Sequence, residues 1–153
     1  MLDAGQPAPD FTLPQDGGEP VTLSALKGGP VVLYFYPRDD TSGCTKEALA
    51  FTEKLPEFEA AGAKVFGISK DTVVKHGKFR EKHGLGVGLL SDAESDVCER
   101  YGVWVEKSMY GKKYMGIERS TFLIDGAGQV ARVWHKVKVP GHADAVLEAV
   151  RAL

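Results

Sequence analysis

Six consecutive apolar or aromatic residues, Val31 to Tyr36, constrain this chain more than any other stretch. The run is too short for a helix and rich in β-formers, so it reads as a central strand buried on both faces. Pro37 ends it, because proline has no N–H to give to a sheet ladder. Arg38 to Gly43 is polar turn material. From Cys44 onward the residues favour helix, and Asp40, Thr41 and Ser42 are all available as caps. A cysteine therefore falls in the first turn of a helix, just past the C-terminal end of a buried strand. Open α/β sheets bind ligands at that edge.

The position has chemical consequences. The first turn of a helix leaves backbone N–H groups without partners and carries the positive end of the helix dipole. Both favour a thiolate over a thiol at Cys44. A small packed cysteine is the plain alternative, but Cys44 lies between Gly43 and Thr45 in a polar turn rather than on an apolar stripe.

Elsewhere, Ala8 to Leu13 and Val21 to Leu23 read as an N-terminal hairpin around the turn-rich Pro-Gln-Asp-Gly-Gly-Glu-Pro. The helix from Cys44 puts Ala48, Phe51, Leu55 and Phe58 on one face, and Pro56 predicts a kink or break just before it. Ala63 to Ser69 is a second buried strand, followed by a helix over 72–83 that Asp71 could cap and that ends near Gly84. Val87 to Leu90 is a short strand. Ser91 and Glu94 have capping-box spacing, which predicts a helix from there to Gly102. Val103 to Glu118 shows no clean period and reads as mostly loop, with Tyr110, Tyr114 and Met115 as either a mobile rim or plain surface. Strands at Ser120–Ile124 and Val130–His135 flank an Asp-Gly-Ala-Gly turn, and Val146, Leu147, Val150 and Leu153 mark a closing amphipathic helix. This order implies an α/β fold with a mixed central sheet, as one domain over residues 1–153.

With 153 residues, of which 43% are hydrophobic, the chain is long enough to enclose a core. A net charge of −2 with scattered Lys and Arg argues against a nucleic-acid surface. No apolar run approaches membrane-spanning length, and the N-terminal stretch lacks the pattern of a signal peptide. Two cysteines do not make a disulfide scaffold, so a cytoplasmic, reducing setting is expected. His76 and His83 share a helix, but with no third ligand beside them no metal site is expected. His135 and His142 read as surface. No phosphate loop or nucleotide fingerprint occurs, and no cofactor is called for.

Pro37-Arg-Asp-Asp-Thr41-Ser-Gly-Cys44, together with the downstream Glu-Arg119-Ser-Thr-Phe-Leu-Ile-Asp, resembles the Pro-x-x-x-Thr-x-x-Cys signature of the peroxiredoxins. The longer string Tyr34 to Ala48 is similar to their bacterioferritin-comigratory (PrxQ) branch, and the resemblance runs over nearly the whole chain. It implies a three-layer α/β/α thioredoxin fold with the hairpin as an N-terminal extension. It also implies a thiol-dependent peroxidase that reduces hydrogen peroxide and organic hydroperoxides through a sulfenic acid at Cys44. Thr41 and Pro37 then shape the peroxide socket and Arg119 donates to it, with Gly43 and Tyr36 as substrate-binding neighbours. Spacing alone gives Thr41 a capping role, Pro37 a strand end and Arg119 a solvated strand start.

Many members of this branch carry a resolving cysteine five residues after the first, where this chain has Leu49, or on the next helix, where it has Lys78-Phe-Arg80. The remaining thiol, Cys98, lies beside Val97 and near Tyr101, a stripe that favours burial. One-cysteine behaviour is expected, with an external thiol (thioredoxin-like, glutaredoxin-like or small) as reductant and a monomer as the working unit. Two alternatives stay open: a redox-sensing module that signals to a partner, and a two-cysteine peroxidase that resolves through Cys98. A disulfide oxidoreductase would need Cys-x-x-Cys, and Cys44 is followed by Thr-Lys-Glu47.

Overall fold

The computed structural model describes residues 2–153. Its centre is a five-stranded sheet built from β3 (Val31–Phe35), β4 (Lys64–Ser69), β5 (Gly88–Ser91), β8 (Ser120–Ile124) and β9 (Val130–Trp134), in the order β5-β4-β3-β8-β9. The β5, β4 and β3 strands run parallel, while β8 and β9 are antiparallel to their neighbours. As the sequence implies, β3 is the middle strand and every residue in it is buried. Successive side chains of a strand point to opposite faces, so β3 feeds two cores.

Val32, Tyr34 and Tyr36 enter one core beneath α1 (Ser42–Ala60), α2 (Val73–His83) and α4 (His142–Arg151). Val31, Leu33 and Phe35 enter the other, which is covered by α3 (Val97–Arg100) and the N-terminal hairpin of β1 (Thr12–Leu13) and β2 (Val21–Thr22). The result is a thioredoxin fold with a mixed central sheet and an N-terminal hairpin.

Several local expectations are corrected. The α1 helix runs unbroken through Pro56. Phe51 and Phe58, on either side of the proline, are fully buried with ring centroids 5.9 Å apart, and this packing holds the axis together across the missing N–H. The cap of α2 is Thr72, whose hydroxyl accepts from the Lys75 N–H, rather than Asp71. The helix expected from Ser91 begins only at Val97, because Ser91 belongs to β5 and its hydroxyl donates to the Asp71 carbonyl. Asp92 instead holds the start of α3, accepting from the N–H groups of Val97 and Cys98.

The largest correction concerns residues 103–118. The expected loop is a hairpin, β6 (Trp104–Met109) with β7 (Lys112–Ile117). A two-residue turn joins them, with positive φ at Tyr110 (52°) and Gly111 (79°), the geometry of tight hairpin turns. Most of the arm faces solvent on both sides, so its sequence carries no alternation to read. His142 is also corrected from surface to buried, with Nε2 2.8 Å from the Thr121 hydroxyl.

Candidate active site

Strand β3 stops at Phe35 and the chain crosses Pro37 to Asp40 before entering α1 at Ser42. The crossing is tied down from below. The Asp39 N–H donates to Asp71 Oδ2, and its carboxylate accepts from the Tyr36 hydroxyl at 2.6 Å. The other Asp39 oxygen lies 2.7 Å from His76 Nδ1. His76 is fully buried, and its Nε2 faces the Leu90 carbonyl, which can only accept. Acceptors thus face both ring nitrogens. Burial opposes a charge on the ring, but the bond and charge of Asp39 and the Leu90 carbonyl raise the imidazole pKa above its usual value. The sequence paired His76 with His83. The structure pairs it with Asp39 and Asp71, whose donor atoms lie within 4.8 Å of one another and of His76. These contacts are internal hydrogen bonds that fasten the Cys44 loop to α2 and β5.

Thr41 occupies the N-cap position, but its hydroxyl caps nothing; it donates to the Arg38 carbonyl at 3.0 Å. The Thr41 carbonyl in turn accepts from the Thr45 N–H and hydroxyl. Cys44 sits in the first turn of α1 at 1% exposure. Arg119 stands between β7 and β8, its carbonyl held by the Val137 N–H. It spans the 75 positions to Cys44, donating from Nη2 to Sγ at 3.2 Å and from Nη1 to Glu47 Oε1 at 2.6 Å. Gly43 makes this approach possible, since a Cβ there would lie 3.2 Å from Arg119 Nη2.

Glu47 is the residue that sequence reasoning missed. It follows Cys44 by three positions on α1, a spacing that puts both on one side of the helix. Its side chain is buried, Oε2 has no partner among the described residues, and burial lifts its carboxyl to about 7 against the opposing pull of Arg119. Pro37 is exposed on the rim of a neighbouring cavity of about 360 Å³. The Tyr36 side chain is buried, with its hydroxyl committed to Asp39. Cys98 lies fully buried in the opposite core from Cys44. Burial, then the charge and hydrogen bond of Asp92, push its thiol pKa far up.

A buried sulfur at a helix start thus faces a guanidinium that the Glu47 carboxyl steadies. That guanidinium can present N–H donors to oxygens brought up to the sulfur.

The model of the AhpC/TSA family matches residues 4–133. The peroxiredoxin Bcp of Xanthomonas campestris is 51% identical over 148 residues, covering 95% of this chain and 92% of the relative. That of Bacillus subtilis is 48% identical over 150 residues, covering 98% and 96%. A solved structure of the X. campestris bacterioferritin comigratory protein, a protein described by its alkyl peroxide reduction activity, superposes with a TM-score of 0.91 at 49% identity over 98% of each chain. With a match over most of its length and a shared fold, this chain belongs to the AhpC/TSA family, in its bacterioferritin-comigratory branch of thiol-dependent peroxidases.

Proposed function

We propose that Cys44 is the sulfur that attacks peroxide. The observation that carries this reading is the 3.2 Å contact from Arg119 Nη2 to Sγ. The Cys44 thiolate, beside the guanidinium and at the N-terminal end of α1, attacks the nearer peroxide oxygen as the O–O bond breaks. Sulfur gains that oxygen and becomes a sulfenic acid, losing two electrons. The leaving alkoxide or hydroxide takes a proton and departs as alcohol or water. Arg119 donates to the charge that builds on that oxygen. The family resemblance assigns Thr41, Pro37, Gly43 and Tyr36 to the wall of the peroxide socket, with the Thr41 and Tyr36 hydroxyls engaged by the Arg38 carbonyl and Asp39 before substrate arrives. Substrates are hydrogen peroxide and organic hydroperoxides, a range supported by the alkyl peroxide activity of the X. campestris relative.

The sulfenic acid is reduced from outside the chain by a thioredoxin-like, glutaredoxin-like or small thiol. Leu49 stands at the near resolving position, and Cys98 lies in the other core across the sheet, so neither supplies a second sulfur nearby. Cys44, Glu47 and Arg119 meet within a single protomer, and the working unit is taken to be a one-domain monomer. Two cysteines, both unpaired, fit a reducing cytoplasmic setting.

Peroxide consumption with a panel of thiol donors tests the reading, for the wild type and for Cys44→Ser. The variant should stay folded and lose all measurable turnover. More than a few per cent of the wild-type rate in a folded Cys44→Ser protein would overturn the assignment.

A further inference from the structure

The loop that carries Cys44 is anchored by groups that the peroxide chemistry does not use. One peptide unit in it, between Arg38 and Asp39, is held at both ends. Its carbonyl accepts the Thr41 hydroxyl at 3.0 Å, and its N–H donates to Asp71 Oδ2 at 2.8 Å. A peptide is planar, so whatever turns the Asp39 N–H also turns the carbonyl that aims Thr41. Thr41 stands at the entry to α1, three residues before Cys44.

The Asp39 side chain fixes the same peptide from below. Its Oδ1 accepts the Tyr36 hydroxyl at 2.6 Å, and its Oδ2 lies 2.7 Å from His76 Nδ1. The ring is fully buried and the carboxylate nearly so, which keeps solvent from competing for either. On the other side of the ring, Nε2 lies 2.9 Å from the Leu90 carbonyl of β5. One side chain of α2 thus braces the Cys44 loop against the sheet. The titratable groups facing it are Asp39 from the loop, Tyr36 from the end of β3 and Asp71 from the turn before α2, while β5 offers only the carbonyl.

A neutral imidazole has a single N–H to give. Beside an ionised Asp39 it would leave one of its two contacts without a proton, in a place closed to water. A ring protonated on both nitrogens supplies both, and its contact to the carboxylate is then charge-assisted. Burial opposes the charge, while Asp39, the Leu90 carbonyl and Asp71 raise the pKa of the ring above 6.5.

We propose that His76, as an imidazolium, is a positioning residue for peroxide reduction. It holds Asp39, and through the Arg38–Asp39 peptide it holds the Thr41 hydroxyl, in the place the reaction uses. The inference rests on the Cys44 reading above. Loss of a proton from the ring removes the Asp39 or the Leu90 contact, and the peptide that aims Thr41 is free to turn. Small misplacements at a reacting centre slow a reaction without any lost contact to substrate. The clamp is therefore closed at low and neutral pH and opens as pH rises through the folded pKa of His76.

Stopped-flow oxidation of the whole chain by hydrogen peroxide tests this from pH 6 to pH 10, for wild type, His76→Gln and Asp39→Asn. In parallel, ¹⁵N NMR of the imidazole nitrogens follows the ring, with His76 assigned by the loss of its signals in His76→Gln. At pH 7 both His76 nitrogens should be protonated, and either variant should oxidise more slowly by about 5-fold or more. The wild-type rate should fall in step with deprotonation of the ring and approach that of His76→Gln, which has no such fall. A merely structural role would lower the melting temperature and leave the variant profile parallel to wild type. A neutral His76 at pH 7, folded variants within about twofold of wild type, or a wild-type rate that has not fallen by pH 10 would overturn the proposal. Should a variant fail to fold, the wild-type profile and the NMR titration still decide. Peroxide consumption retained by Cys44→Ser would instead overturn the Cys44 reading. An inactive Cys44→Ser beside an unaffected His76→Gln overturns only the role of His76.

Discussion

Cys44 and Cys98 are both buried to within 1% of full coverage, one in each core of the same sheet. Each also lies near the start of a helix, and each has a charged side chain against it. At Cys44 that neighbour is a guanidinium donating to sulfur at 3.2 Å. At Cys98 it is the Asp92 carboxylate, whose Oδ2 accepts the backbone N–H at 2.8 Å. The same N–H groups that would favour a thiolate are consumed by a carboxylate there, and the thiol is driven toward its neutral form. Burial and helix position are therefore common to the two cysteines, and the sign of the nearest charge is what differs between them.

The contrast can be broken most severely at Arg119. On the proposed mechanism Arg119→Met removes one transition-state donor, so peroxide reduction should slow by roughly 10²-fold. Stopped-flow oxidation at fixed peroxide reads the effect, and unchanged kinetics would reduce Arg119 to a strand-end charge. Gly43→Ala should act less strongly. Its Cβ, 3.2 Å from Nη2, moves the guanidinium by tenths of an ångström, for an expected loss of about 3- to 10-fold, in the same assay.

Cys98→Ser sharpens the contrast from the other side. Turnover should stay within about twofold of wild type, and peptide mapping after peroxide should find no Cys44–Cys98 disulfide. A bridge forming at catalytic rates would show that Cys98 resolves the sulfenic acid. The same variant places a hydroxyl in an apolar core, so thermal unfolding should show a stability loss of about 1–3 kcal/mol.

The smallest effect at neutral pH concerns His142, on the Arg119 side of the sheet. Burial, then the charge of Arg119, lowers its imidazole pKa to about 4 from the usual 6.5. A depressed folded value means that the unfolded chain takes up the proton first. The contribution of this residue is complete above pH 6.5 and drains away as pH falls toward 4, by on the order of 3 kcal/mol. Unfolding free energies of wild type and His142→Gln should therefore converge through that window. In Arg119→Met the window should narrow from its acid edge and the loss shrink, because one of the two causes that lower the folded value is gone.

Some of this was legible in one dimension. The 31–36 run is apolar at every position because β3 is covered on both faces, so composition alone reports its burial. The helix after it, the place of Cys44 in its first turn and the closing α4 follow from short-range rules of propensity and period. The Pro37–Thr41–Cys44 spacing carries the family, because a motif within one loop keeps its geometry wherever that loop occurs. The β6–β7 arm was not legible, since a strand that faces water on both sides leaves no alternation behind. The late start of α3 was hidden too, because Asp92, just past the end of β5, supplies what the capping-box spacing assigned to Ser91. Contacts across the chain were the least legible. His76 meets Asp39 across 37 positions and Arg119 meets Cys44 across 75, and no local rule connects residues so far apart. Only the sheet does that, by setting β8 against β3 and so bringing the residue before β8 to the end of β3 where Cys44 begins its helix.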